Sequence, residues 1–286
     1  MNAKFFHTIG VLMIVMPTFS CFAEQAGGKI TETTFHPESF SCIDIKVSRN
    51  TSVTVEQGTG FSVTYLLAPK EALKTAEVKN DTLCFYTTAP KSIFGRNSTP
   101  GKYSVTVTVP DRTTLQKISI SSSEGTIYIN EIEAHDIECS SGTGYIFFNG
   151  VTAQSITGYS ATGYTTASRI ATDSLILSSS NGNITVKEVQ SKDMDVSTVM
   201  GSINVDGTVS GFADIRTTMG NIDCTIQNIT EEVSLAAYSK AGVYIDNKPM
   251  GDILVENNGE FVGEIPQRIP WKLETSMGQI YIQFPN

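Results

Sequence analysis

Two aspartates and four aromatic rings are the side chains here whose types and spacing suit chemistry. Asp195 and Asp214 each stand six residues before a glycine, Gly201 and Gly220. If those glycines mark stacked repeats, the two carboxylates share an outward column about 5 Å apart. Retaining glycosidases hold their acid and nucleophile at such a separation, and a weak cation site would use the same pair. Arg216, two residues along the same face, can neutralise Asp214. An open sheet face supplies nothing to raise one carboxylate's pKa. A solvated ion pair is the expectation.

The rings form a second constellation. Tyr145 and Tyr164 directly follow Gly144 and Gly163, and Tyr128 and Phe147 stand three residues after Gly125 and Gly144. All four should face outward on one sheet, across three adjacent repeats. Later repeats carry Asn183, Ser202 and Asn221, and Thr185, Asn204 and Asp223, in those two columns. Exposed aromatic patches mark interaction sites, and flat rings stack on sugar or protein. Two readings stay open: a ligand faces the patch, or the N-terminal segment or the loop Thr88–Lys102 covers it.

Other chemistry is sparse. Beyond residue 23 only His36 and His135 remain. Neither has a second histidine nearby for a metal site or a Ser-His-Asp set, and His135 beside Asp136 reads as a surface pair. Gly158–Gly163 reads as a corner, not a phosphate loop. No metal or cofactor is expected. Cys139 and Cys224 fall in inward columns, too far apart to bond, and should be buried free thiols. Cys42 and Cys84 should point away from the core on their strands. An exported chain can oxidise such a pair, so a Cys42–Cys84 disulfide and two free thiols are both open. There is no CxxC motif.

The elements that position these residues follow from glycine spacing. Gly125, Gly144, Gly163, Gly182, Gly201 and Gly220 recur every 19 residues, and Gly242, Gly259 and Gly278 continue at intervals of 22, 17 and 19. Apolar residues recur seven and five positions before the glycine (Ile118 and Ile120, Met194 and Val196) and two and four after it (Ile127 and Ile129, Ile203 and Val205). Spacing by two on each side means two strands per repeat with one buried face each. The glycine takes the bend between them, where positive φ or close backbone approach suits it. A hydroxyl stands three residues earlier: Ser122, Ser141, Ser160, Ser179, Thr198, Thr217 and Thr275.

Nineteen residues leave no room for a crossover helix, so the repeats should stack as an all-β, right-handed parallel β-solenoid, or β-helix, with about 19 residues per coil. An antiparallel sandwich would not need equal spacing with the same residue types at the same offsets. The regular coils should occupy residues 116–284. Beyond about residue 226 the register blurs, and Met250-Gly251-Asp252-Ile253 copies Met219-Gly220-Asn221-Ile222. Gly251 therefore competes with Gly242 and Gly259 as a coil glycine. Residues 24–115 carry alternating strands without the period and should form irregular early coils or a cap, with a helical turn over Glu71–Ala76.

Residues 1–23 read as a secretory leader: Lys4, an apolar Phe5–Phe22 stretch, and a cleavage site after Ala23. A membrane anchor and lipidation of Cys21 are the alternatives. No other segment has a transmembrane run of apolar residues. The formal net charge is −9, and residues 116–284 hold 9 basic and 20 acidic residues. Such a rod repels nucleic acid and anionic lipid.

Three further segments carry a likeness: Val53-Thr54-Val55-Glu56-Gln57-Gly58, the strand Val105–Pro110, and the Gly-Asn-Ile-type repeats. Together they resemble the putative adhesin family, the head-GIN-type β-strand-repeat domains of exported bacterial proteins, over roughly residues 38–284. The resemblance implies a right-handed β-solenoid at or outside the cell envelope and brings no catalytic residues. The expectation is an exported, non-enzymatic binding or scaffold protein, periplasmic, cell-surface or secreted, with a glycan or surface protein as partner. The alternative is a polysaccharide-acting β-helix lyase or glycoside hydrolase. That would need a groove of clustered acids or basic residues, and the nine basic residues of 116–284 do not cluster.

Overall fold

The computed structural model describes residues 32–48, 51–67, 72–88, 103–228, 233–245, 248–249 and 269–285. The expected leader, residues 89–102, and Gly251 and Gly259 lie outside these. Among the described residues there is no helix, so none is long and apolar enough to cross a membrane.

Alternation creates the strands. In Ile184–Met200, residues Ile184, Val186, Met194 and Val196 are buried while Thr185 and Asp195 lie on the other face. Adjacent strands run parallel and pair like with like at an offset of 19 residues: Ile127 with Ile146, Ala167 with Val186, Ile203 with Ile222. The second run of each repeat does the same, with Ile118 on Ile137 and Leu175 on Met194. The result is a long stack of parallel strands around one continuous apolar interior. Burying each Ile or Leu contributes roughly 1.5–3 kcal/mol. Large and small residues compensate inside: Phe148 fills space that a Cβ at Gly158 would occupy, 2.9 Å from the Phe148 ring.

The glycine column has a steric cause. A Cβ on Gly144, Gly163, Gly182, Gly201 or Gly220 would collide with the carbonyl of the glycine one coil earlier, and one on Gly278 with the Gly220 carbonyl. Backbones meet here without room for a side chain, and Gly201 also has φ +153°. The hydroxyl column ties the same carbonyls. Ser160 Oγ donates to Gly144 O at 2.9 Å, Thr198 Oγ1 to Gly182 O at 3.0 Å, and Thr275 Oγ1 to Gly220 O at 2.9 Å.

A second bend, unmarked by any conserved-looking residue type, faces the first. Glu131, Gly150, Arg169 and Glu188 stand 19 residues apart and all adopt left-handed φ, between 51° and 65°. Each non-glycine there costs about 1–2 kcal/mol, which the strand pairing on either side offsets. The next coil drops that residue, so Val189 faces Gly207.

At both ends the stacking order departs from chain order. The strand Cys42–Val47 lies between Thr82–Thr88 and Thr114–Ser122, and Thr51–Gly58 lies between Tyr103–Pro110 and Ile127–Asn130. Antiparallel strands, Ser62–Leu66 on Tyr103–Pro110 and Ala72–Lys79 on Thr82–Thr88, cover that end. The mirror case holds at the other end. Ile269–Met277 inserts between Ala213–Met219 and Val233–Ser239. Gly278 therefore stacks on Gly220, and Gly242 lies beyond it. The copied motif explains this: Met219 pairs with Met277, and Ile222 with Ile280.

One expectation is corrected, and of the two outcomes open for Cys42 and Cys84 one is found. The helical turn expected over Glu71–Ala76 is replaced from Ala72 onward by the strand Ala72–Lys79, whose Ala76 and Val78 sit opposite Phe85 and Leu83, while Glu71 lies outside the described residues. Cys42 and Cys84 are free thiols. They occupy adjacent strands, but Cys42 faces Thr82 and Cys84 faces Asp44, two residues out of register. Cys139 and Cys224 are free and buried, and burial pushes both thiols well above their ordinary pKa.

Candidate functional site

The four rings named from spacing come together on one face. Each follows a coil glycine, so the pairing that aligns Ile127 with Ile146 also aligns Tyr128 with Phe147. Tyr128 and Phe147 stack with centroids 5.1 Å apart and planes within 7°. Tyr145 and Tyr164 stack at 5.4 Å and 14°. Tyr145 meets Phe147 edge-on at 6.2 Å, joining both pairs into one patch. Strand spacing of about 4.8 Å forces the parallel rings to slip, which leaves part of each ring face open. Tyr164 is 52% exposed and Tyr145 43%.

A shallow groove of about 560 Å³ runs past Tyr145 and Tyr164 along the glycine corner, from Glu124 to Asn183. Its polar character changes where the tyrosines stop. Further along, a side chain of one coil caps the backbone N–H of the next. Ser202 N donates to Asn183 Oδ1 at 2.8 Å, and Gln279 N to Asn221 Oδ1 at 2.9 Å. Tyr145, Tyr164 and Asn183 follow Thr126, Tyr145 and Tyr164 in that column, and their N–H groups carry no such cap among the described residues. The groove thus offers ring surface beside an array of amide donors.

Asp195 and Asp214 are direct cross-strand partners, and Arg216 takes up both. Its Nη2 donates to Asp195 Oδ1 and Oδ2 at 3.1 and 3.2 Å, and its Nε lies 3.4 Å from Asp214 Oδ1. No third His, Cys, Asp or Glu joins them in a metal-holding group among the described residues. Asp214 is half-buried, and that burial raises its carboxyl pKa against the opposing pull of Arg216 and Lys272. An outward residue on this sheet can therefore be desolvated, which corrects the expectation from an open face. Asp214 is flanked by Arg216 on its own strand and by Asp195 and Lys272 as its partners on the two neighbouring strands.

Two clusters were not anticipated. The Tyr86 hydroxyl donates to Asp44 Oδ2 in a short bond that, with burial, raises the Tyr86 pKa strongly. Lys46 Nζ pairs with the same carboxylate at 3.2 Å and sits 5.0 Å above the Tyr86 ring. At the opposite end, Tyr244 and Tyr281 stack at 5.3 Å and 16°. Tyr281 stands three residues after Gly278, the offset of Tyr128 and Phe147, so its place was legible. Tyr244 is only two after Gly242, which hid its alignment with Tyr281.

A stack of parallel strands with a glycine ladder at one corner and an aromatic face beside it defines an all-β, solenoid-like rod. Its sequence matches the Toastrack DUF4097 family model over residues 40–253, and the chain belongs to that family. Among solved structures it is similar to a putative adhesin from Bacteroides fragilis, with 15% identity, 91% of this chain and 98% of that one covered, and a TM-score of 0.45. A putative adhesin from Parabacteroides distasonis gives 15% identity, 90% and 98% coverage, and 0.46. A putative cell adhesion protein from Clostridium sporogenes gives 12%, 90% and 100%, and 0.32. No curated protein matches the chain.

Proposed function

We propose that this protein is an exported, non-enzymatic binding scaffold of the bacterial cell envelope, whose aromatic face holds a neutral glycan. The observation that carries the reading is the stacked patch of exposed Tyr128, Tyr145 and Tyr164 with half-buried Phe147, beside a groove with uncapped amides. Sugars present both an apolar ring face for stacking and hydroxyls for amide donors. A polyanionic glycan is disfavoured by the acidic rod, with a formal net charge of −9.

The leader-like residues Lys4 to Ala23 support export. The coil is taken as right-handed with 19 residues per turn, on the repeated pairing offset and the handedness of parallel crossovers. The likeness to head-GIN-type adhesin domains gains support from Val53–Gly58 and Val105–Pro110. These two segments of the motif are adjacent parallel strands, with Val53 on Val105 and Gly58 on Pro110.

The enzyme alternative would use Asp195 and Asp214. Arg216 engages both carboxylates, which disfavours a free acid and nucleophile pair.

The test is a glycan-array screen of the wild type against a Tyr145→Ala/Tyr164→Ala variant. The reading expects neutral glycans bound by the wild type and lost by the variant. Binding that survives both changes would remove the site. Turnover of a polysaccharide, abolished by Asp195→Asn, would replace it with the enzyme.

A further inference from the structure

The ring patch belongs to a longer column, which continues past Tyr128 to Thr54. Outward partners run without a break from Tyr128 through Phe147, Thr166, Thr185, Asn204 and Asp223 to Tyr281 and Tyr244. A stacked aromatic pair bounds this stretch on either side, Tyr128–Phe147 and Tyr244–Tyr281. Between them lie only hydroxyl, amide and carboxyl side chains. Five strand spacings separate Phe147 from Tyr281, about 24 Å.

We propose that the two aromatic pairs grip one linear neutral polysaccharide that lies along the rod axis, with Thr166, Thr185 and Asn204 as its polar track. This rests on the glycan reading above and adds to it a second contact, a direction and a minimum length. A chain crossing the rod sideways could meet only one pair. A peptide fits less well. The backbone groups of these strands are consumed by their parallel ladders, so the face offers no strand edge to pair with. The polar track repeats at strand spacing and gives successive sugar units donors and acceptors. Its Asp223, and the acidic charge of the rod, favour an uncharged chain.

Two contacts on one ligand raise affinity through effective concentration only when the ligand spans both. The test is calorimetric titration of the full chain with graded cello-, xylo- and N-acetylchito-oligosaccharides, from dimers to chains longer than about 24 Å. The proposal expects affinity to step up at least about tenfold once the oligomer reaches both pairs. Tyr281→Ala/Tyr244→Ala should erase the step, with short oligomers still bound at the Tyr145–Tyr164 face. Thr185→Arg, which blocks the track midway, should also erase the step while leaving every ring in place. Circular dichroism melts of both variants check that each keeps its fold. Binding that depends on Tyr145 and Tyr164 but shows no step, or a step that survives both variants, would overturn the axial grip and leave the glycan reading standing. Failure of every neutral oligosaccharide to bind would overturn both.

Discussion

Arg169 reaches across Gly150 to hold Glu131, its Nη2 2.5 Å from Oε1, although the two residues lie two coils apart. The carboxylate lies where a Cβ on Gly150 would be. Three left-handed positions, one per coil, are thus joined by a single ion pair that needs its central residue to lack a side chain. Arg169 also donates to Asn149 Oδ1 at 3.0 Å.

Replacing Gly150 tests this arrangement. Gly150→Ala forces an alanine into φ +65° and against the Glu131 carboxylate, so a loss of about 1–2 kcal/mol is expected. Glu131→Ala alone should cost under about 1 kcal/mol, since both partners are half-exposed. In the double variant the clash is relieved, and the two costs should sum to more than the measured loss. Chemical denaturation of the four proteins gives the cycle.

The glycine ladder predicts a larger effect. Gly163→Ala or Gly182→Ala drives a methyl into the carbonyl of the preceding coil's glycine, and backbone on both sides prevents relief. Each should cost at least about 3 kcal/mol or abolish folding. Gly60→Ala meets nothing within 4 Å and should be near neutral. Melting temperatures measured side by side separate the two classes.

Asp214 predicts a pH dependence of reversed sign from an ordinary paired carboxylate. Its folded pKa lies above the unfolded one, because burial outweighs Arg216 and Lys272. The native state therefore holds the proton more tightly, and stability from this group is full below the unfolded pKa and lost as pH rises through the folded one. Asp214→Asn should match the wild type near pH ~3, where both carry a neutral side chain, and gain on it toward neutral pH. A gap that closes or reverses as pH rises would contradict this.

What the sequence made legible follows from how strictly each feature constrains residue type. Glycine contacts tolerate no Cβ, and buried strand faces tolerate only apolar residues, so Gly144 to Gly220 and Ile127 to Ile222 read plainly. The aromatic patch followed because Tyr128, Phe147, Tyr145 and Tyr164 inherit that register. The second bend was hidden because Glu131, Gly150, Arg169 and Glu188 share a backbone conformation and no chemistry. The end insertions were hidden because order along the rod is a tertiary choice. Only Met277-Gly278-Gln279-Ile280, a copy of Met219-Gly220-Asn221-Ile222, pointed to it. The surroundings of Asp214 were hidden because its partner Lys272 comes from a strand distant in sequence.

The most direct measurement is the affinity of one neutral oligosaccharide for three proteins: the wild type, Tyr145→Phe/Tyr164→Phe and Tyr145→Ala/Tyr164→Ala. Rings that stack on sugar keep most of their contribution without the hydroxyl, so the phenylalanine variant should bind within about threefold of the wild type, and the alanine variant at least about tenfold more weakly. Equal affinity in the wild type and the alanine variant would contradict the account.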